Sequence, residues 1–296
     1  RTILAVALSL LALMLFQSMG LVVKHLSPRF SAAELSAWRN LFGLLPSAIA
    51  LISTAAWHQS GRPVRVRQWR MAIWRGLAVA FAQLSFYLAL SRMEYATATT
   101  ITYANALFMT ALAIPILGEK VGPVRWTAVI IGLVGVVLVM DPGLGTFQWI
   151  SLAPLAAAFL YALSGIGARL IDADVPSPLM NLYTVGVSLV ASVIIALTMG
   201  GFSPITSLSD GLWLLAMGGF GGTAVLLLVV SFRMTEQSNL APFTYFGIPV
   251  AFIFGWVFFG ETPFQALFPG GALIIAGGLF VIWRDRQLKR SQKTTS

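Results

Sequence analysis

Residues 102–119 read TYANALFMTALAIPILGE, and residues 244–261 read TYFGIPVAFIFGWVFFGE. An offset of 142 residues superposes Thr-Tyr at one end and Gly-Glu at the other, with a mostly apolar run between them. Each copy has about the length that crosses a hydrocarbon layer, roughly 20 residues at 1.5 Å per residue. The echo extends outward. Ser91-Arg92-Met93 answers Phe232-Arg233-Met234 at an offset of 141, and Gly135 answers Gly277. Matches held in nearly one register over this distance are the mark of a duplicated half.

Composition sets the class. With 58% hydrophobic residues, 10% charged residues and a mean hydropathy of +0.85, a chain of 296 residues cannot hide its apolar surface inside one water-soluble globule. It reads as an all-α integral membrane protein. The absence of cysteine excludes disulfides, thiolate catalysis and cysteine metal sites. The net charge of +9 would suggest a nucleic-acid partner in a soluble protein, but here the basic residues sit in short loops between apolar spans, so none is expected.

Ten spans are legible: 2–23, 33–56, 72–91, 96–117 and 124–140, then 149–171, 178–199, 211–232, 240–259 and 264–283. The first continues well past the small-residue stretch Ala5-Val6-Ala7, so it is expected to be a retained helix and not a cleaved leader. Between the fifth and sixth spans, Asp141-Pro142-Gly143-Leu144-Gly145 breaks the pattern and divides the chain into halves 1–143 and 144–296, each of five spans. Placing Arg62, Arg65, Arg67, Arg70 and Arg75 on the cytoplasmic side brings Lys120, Arg125, Arg169, Arg233 and the basic tail there too. Both termini are then cytoplasmic. Because five is odd, the second half must enter the bilayer upside down relative to the first.

The Gly-Glu pair closing the fourth and again the ninth span, each followed by a Gly-rich apolar helix, resembles the EamA type of the drug/metabolite transporter superfamily. Lys24 at the end of the first span and Arg39 early in the second fit the same pattern. The resemblance implies ten helices in two inverted five-helix repeats around a central cavity, and transport of small metabolites. More narrowly, the chain resembles the YddG-type bacterial exporters of aromatic amino acids, which implies a multi-pass protein of the inner membrane, working as a monomer among lipids on a small-molecule substrate without a cofactor. One departure stands out: Arg169 answers Lys24 in the second half, but no arginine answers Arg39, and Tyr183 lies nearby instead.

Polar side chains away from helix ends are costly in hydrocarbon and are the natural candidates for solute contact. They are Gln17, Gln83, Tyr87, Tyr103, Asn105, Tyr161, Ser164 and Tyr245, with Phe86, Phe108, Phe159, Phe243 and Phe246 as apolar walls. Such a lining suits a neutral or zwitterionic solute with an apolar body. Serine and threonine hydroxyls often bond to their own helix instead. Pro115 and Pro249 fall inside the fourth and ninth spans and would permit kinks, making them gating candidates together with Glu119 and Glu261. All ten carboxylates lie at span ends or in loops, and the first span holds no glutamate of the kind a small-multidrug antiporter requires. Arg39 is the one charge expected to lean into the interior, facing either Glu34 or the carboxylate of a solute.

An enzyme reading fails on geometry. Leu163-Ser164-Gly165 has the look of an intramembrane serine protease turn, but position 162 is alanine, and the only histidines, His25 and His58, fall at opposite membrane surfaces. An open channel would show rings of charge, which the spans lack. The expected function is export of amino acids, aromatic or apolar ones above all, or of related metabolites by alternating access; a multidrug or other metabolite efflux carrier is the alternative, ahead of a channel-like facilitator.

Overall fold

The computed structural model describes residues 2–59, 61, 64, 66–118, 123–140, 149–171, 175–234, 240, 243–262, 267–280 and 283. Among them there is no strand. In chain order the helices are α1 (Thr2–Leu26), α2 (Ala32–Ile52), the short α3 (Ala55–Gln59), α4 (Trp69–Arg92), α5 (Tyr95–Thr102), α6 (Asn105–Leu117) and α7 (Pro123–Met140). They continue with α8 (Leu152–Arg169), α9 (Ser177–Thr198), α10 (Leu208–Met234), α11 (Gly247–Phe259) and α12 (Phe268–Phe280). Among the described residues, seven spans are long and apolar enough to cross a membrane: α1, α2, α4, α5 with α6, α8 with its short lead, α9 and α10. The helices α7, α11 and α12 are shorter apolar elements. Helices dominate because hydrocarbon offers no partner for a backbone amide, so each segment must satisfy its own.

Local chemistry sets the ends. Ser31 and Glu34 form a capping box that opens α2, with the Ser31 N–H donating to Glu34 Oε2 at 2.7 Å and the Glu34 N–H donating to Ser31 Oγ at 3.3 Å. Pro123 begins α7, and Pro178 lies in the first turn of α9, where a missing N–H breaks no helical bond. Gly118 ends α6 at φ 67°, ψ 19°, and Gly260 ends α11 at φ 66°, ψ 20°, both in the left-handed region that glycine enters without penalty. These two caps are 142 residues apart.

The repeated stretch is interrupted twice, at matching places. Between α5 and α6 the backbone tightens: Ala104 N–H donates to Ile101 O (3.0 Å) and Ala106 N–H to Tyr103 O (3.4 Å). Ahead of α11, Phe246 N–H donates to Phe243 O and Ile248 N–H to Tyr245 O, both at 3.1 Å. Each is a bond to the third residue back, a single 3-10 turn beside the repeated tyrosine. Pro249 does not cause its interruption. It is the third residue of α11, where the amide has no intrahelical partner to lose. Pro115 sits near the end of α6, well past the Tyr103 turn.

The most extensive interfaces come in pairs related by exchanging the halves. The α1–α10 contact corresponds to α4–α8, α2–α10 to α4–α9, and α6–α8 to α1–α11, while α2–α9 and α7–α12 correspond to themselves. In the α7–α12 contact, a methyl group on Gly135 would come within 2.7 Å of the Gly270 carbonyl oxygen, and one on Gly277 within 2.8 Å of the Ala128 carbonyl oxygen. The glycines matched in sequence thus serve one close helix crossing. A contact between α2 and α4 has no match of similar extent between α9 and α10.

Candidate solute site and its closure

Three polar assemblies are built on this frame. The first is centred on Gln17, in α1 and 4% exposed. Its Nε2 donates to the Gly247 carbonyl at 2.8 Å and to the Tyr103 hydroxyl at 3.2 Å, while its Oε1 accepts from the Tyr95 hydroxyl at 2.5 Å. The Tyr95 hydroxyl also reaches the Gln17 carbonyl at 2.9 Å. One amide therefore joins α1, the start of α5, the turn between α5 and α6, and the first residue of α11. Gly247 lies so close to the Tyr103 hydroxyl that any side chain there would collide with it. The Tyr103 and Tyr245 rings are tilted against each other, with centroids 6.3 Å apart. The Tyr245 hydroxyl is buried against Gly278 and has no hydrogen-bond partner.

The second assembly lies among α2, α4 and α9. Gln83 Oε1 accepts from Ser36 Oγ (2.8 Å) and Asn40 Nδ2 (2.9 Å), its Nε2 donates to Asn40 Oδ1 (3.3 Å), and Ser36 meets Ser192 at 2.8 Å. All four residues are buried. This set pairs most of its polar groups with one another and fixes three helices together. It also accounts for the α2–α4 contact that the second half does not match.

The third assembly ties helix ends together at one face. Lys24, in the last turn of α1, forms an ion pair with Glu261 Oε1 and donates to the Met93 carbonyl at 2.6 Å, with its ammonium 5.1 Å from the Phe259 ring centroid. Glu261 Oε2 accepts the Tyr95 N–H at 2.6 Å. Side-chain exposures of 15% and 12% place the pair largely out of water. Arg29 pairs with Asp210 at the same face, and Glu34 accepts the Ser31 N–H and, through Oε1, the Ser203 N–H. Of the two partners expected for Arg39, Glu34 is thus not met, because both Glu34 oxygens are occupied elsewhere.

The expected residues therefore divide. Gln17 and Tyr103 meet in the first assembly, with Tyr245 beside them and half-buried Asn105 opening α6 at the turn. Gln83 belongs to the second assembly. Tyr87 is 1% exposed with an unpartnered hydroxyl, and it lies with half-buried Tyr161 within electrostatic range of Arg39. Ser164 is buried, and its carbonyl accepts from Arg75 Nε at 2.9 Å. Phe108 and Phe159 meet edge to face at 5.6 Å. Glu119 lies outside the described residues. A cleft of about 350 Å³ opens between α4, α6 and α8, walled by Met71, Trp74, Ile116, Leu163 and Leu170, and it includes none of the eight expected solute residues. Sequence reasoning missed Tyr95, Ser36, Asn40 and Ser192. Only the need of the Gln17 and Gln83 amides for several partners each could have pointed to them.

Comparison with known proteins gives one consistent picture. An S-adenosylmethionine uptake transporter of Rickettsia bellii is 26% identical over 278 residues, covering 94% of this chain and 93% of its own. A riboflavin transporter of Vibrio cholerae is 26% identical over 230 residues, 74% of each chain. The human solute carrier family 35 member G1 is 28% identical over 292 residues, 92% of this chain and 76% of its own. A solved crystal structure superposes with a TM-score of 0.68 over 96% of this chain and 97% of its own at 18% identity, a likeness of fold. The family model of EamA-like transporters matches twice, over residues 3–141 and again over 148–283, and the chain belongs to the EamA-like transporter family.

Proposed function

We propose that this membrane transporter exports amino acids, aromatic or apolar ones first, or related small metabolites across a bacterial inner membrane by alternating access. The carrying observation is the Gln17 amide, which joins two interrupted helices beside their repeated tyrosines. Interrupted helices meeting inside a bundle free a few backbone groups for a solute, as in other carriers built from repeats. The halves 1–143 and 144–296 are inverted copies of five spans each, with α7, α11 and α12 completing the crossings. Their exchange-related interfaces support that arrangement. The Lys24–Glu261 pair closes the outer side, Glu119 belongs to the inner closure, and both termini are cytoplasmic. The protein works as a monomer and moves its solute unchanged.

Purified protein in vesicles loaded with a labelled amino-acid panel tests this reading. Saturable efflux supports it, flux without saturation makes the chain a channel, and no flux of any amino acid removes the substrate class. A second reading is favoured by the names of the relatives: uptake of S-adenosylmethionine, or carriage of riboflavin. Those two compounds in the same panel, supplied from outside, distinguish it.

A further inference from the structure

Arg39 is a buried charge with no opposite charge paired to it among the described residues. It is 6% exposed in the interior of α2. Its Nη1 donates to the neutral Asn40 Oδ1 at 2.9 Å, and its Nε is sealed from solvent without an acceptor. Each of the four described carboxylates is engaged elsewhere: Glu34 with Ser31 and Ser203, Glu94 with Thr97, Asp210 with Arg29 and Glu261 with Lys24. A guanidinium held in a low-dielectric interior without a counter-ion is strongly unfavourable, and such groups in membrane spans mark sites of use.

The surroundings bring further hydrogen-bond donors to the guanidinium. The guanidinium lies over Gly221 of α10, where a methyl group would come within 3.0 Å of Arg39 Nε and 2.6 Å of the Met19 sulfur of α1. The bare glycine is what lets the arginine reach toward α1. From α4, the Tyr87 hydroxyl is buried with no partner, and from α8 Tyr161 lies within electrostatic range of both. A guanidinium and two phenols are thus gathered from three helices, and Asn40 Oδ1 is the acceptor that the guanidinium reaches. What completes such a set is an acceptor-only group of negative charge, and a carboxylate offers about four lone-pair sites to it.

We propose that Arg39 and the Tyr87 hydroxyl form a subsite for the carboxylate of the transported solute, with Tyr161 at its edge. This rests on the carrier reading above and narrows it: the solutes are carboxylic acids, and amino acids qualify through that group and not through their apolar bodies alone. It also gives a reason for the asymmetry of the halves, since no arginine answers Arg39 in the second.

Matched acid and amide pairs of phenylalanine, leucine and methionine, with riboflavin as a solute lacking a carboxylate, test the subsite on the full chain in vesicles. Competition for transport and ligand-induced thermal stabilisation are both read. The acids are expected to compete at least about tenfold better than their amides, the scale of a charge-assisted bond. Arg39→Gln abolishes that ratio, Arg39→Lys keeps part of it, and Tyr87→Phe lowers it about threefold. Equal affinity for acid and amide in the unaltered protein overturns the subsite, as does a ratio that survives Arg39→Gln. Carriage of riboflavin with no preference for acids overturns it while leaving a carrier standing; binding and flux of no member of the panel count against both. If Arg39→Gln does not fold, the ratio in the unaltered protein and its change in Tyr87→Phe decide.

Discussion

Lys24 and Glu261, 237 residues apart in the chain, form an ion pair that draws the end of α1 to the end of α11. The same carboxylate receives the first amide of α5, so three helix ends share one acidic group. Glu261→Gln leaves the ammonium with the Met93 carbonyl as its main acceptor, a loss of about 1–3 kcal/mol at a largely dry site. Because the chain contains no cysteine, a single one placed at Ala98, fully buried in α5, reports opening without background. Labelling there by a membrane-impermeant maleimide is expected to rise several-fold in Glu261→Gln and in Lys24→Gln.

Gln17→Leu removes three side-chain hydrogen bonds and leaves the Gly247 carbonyl without the amide that serves it. Tyr103→Phe removes one bond, while Gln17 keeps Gly247 and Tyr95. The expected losses are about 2–4 kcal/mol for the first and about 1 kcal/mol for the second. Thermal unfolding in detergent checks the order; equal losses would place the strength of the assembly outside the glutamine.

Glycines divide by their surroundings. Gly135→Ala meets the Gly270 carbonyl and the α12 backbone, which cannot yield as a flexible side chain would, and is expected to cost about 1–3 kcal/mol. Gly186→Ala, with nothing within 4 Å of the added methyl, is expected to be neutral or to stabilise by up to about 1 kcal/mol. The same unfolding measurement separates them.

The proposed topology places Gly61 on one side of the bilayer and Ser203 on the other. Single cysteines at the two positions in intact cells should label from opposite sides, with Ser203 outside. Labelling of both from the same side would remove the inverted arrangement.

Much of this was readable in the sequence, for definite reasons. The spans stand out because hydrocarbon forces long apolar runs, and the Gly118 and Gly260 ends because a left-handed cap selects glycine. The interruptions beside Tyr103 and Tyr245 were not readable. Proline is the usual marker of a broken helix, and Pro115 and Pro249 drew the expectation to themselves, whereas a 3-10 turn requires no special residue. Partner choice was equally hidden. Gln17 and Gln83 looked alike as buried amides, yet one bridges interrupted helices while the other is paired with Asn40 and Ser36, a difference that arises only when helices dock.

The paired 3-10 turns carry a mechanical consequence. Such a turn rises about 2.0 Å and winds about 120° per residue, against about 1.5 Å and 100° in an α-helix. Relaxing one of them over three residues would shorten its rod by about 1.5 Å and twist the distal piece by about 60°. With a matched turn on each rod, one can wind while the other unwinds, so the molecule holds a pair of like-threaded screws whose combined length need not change.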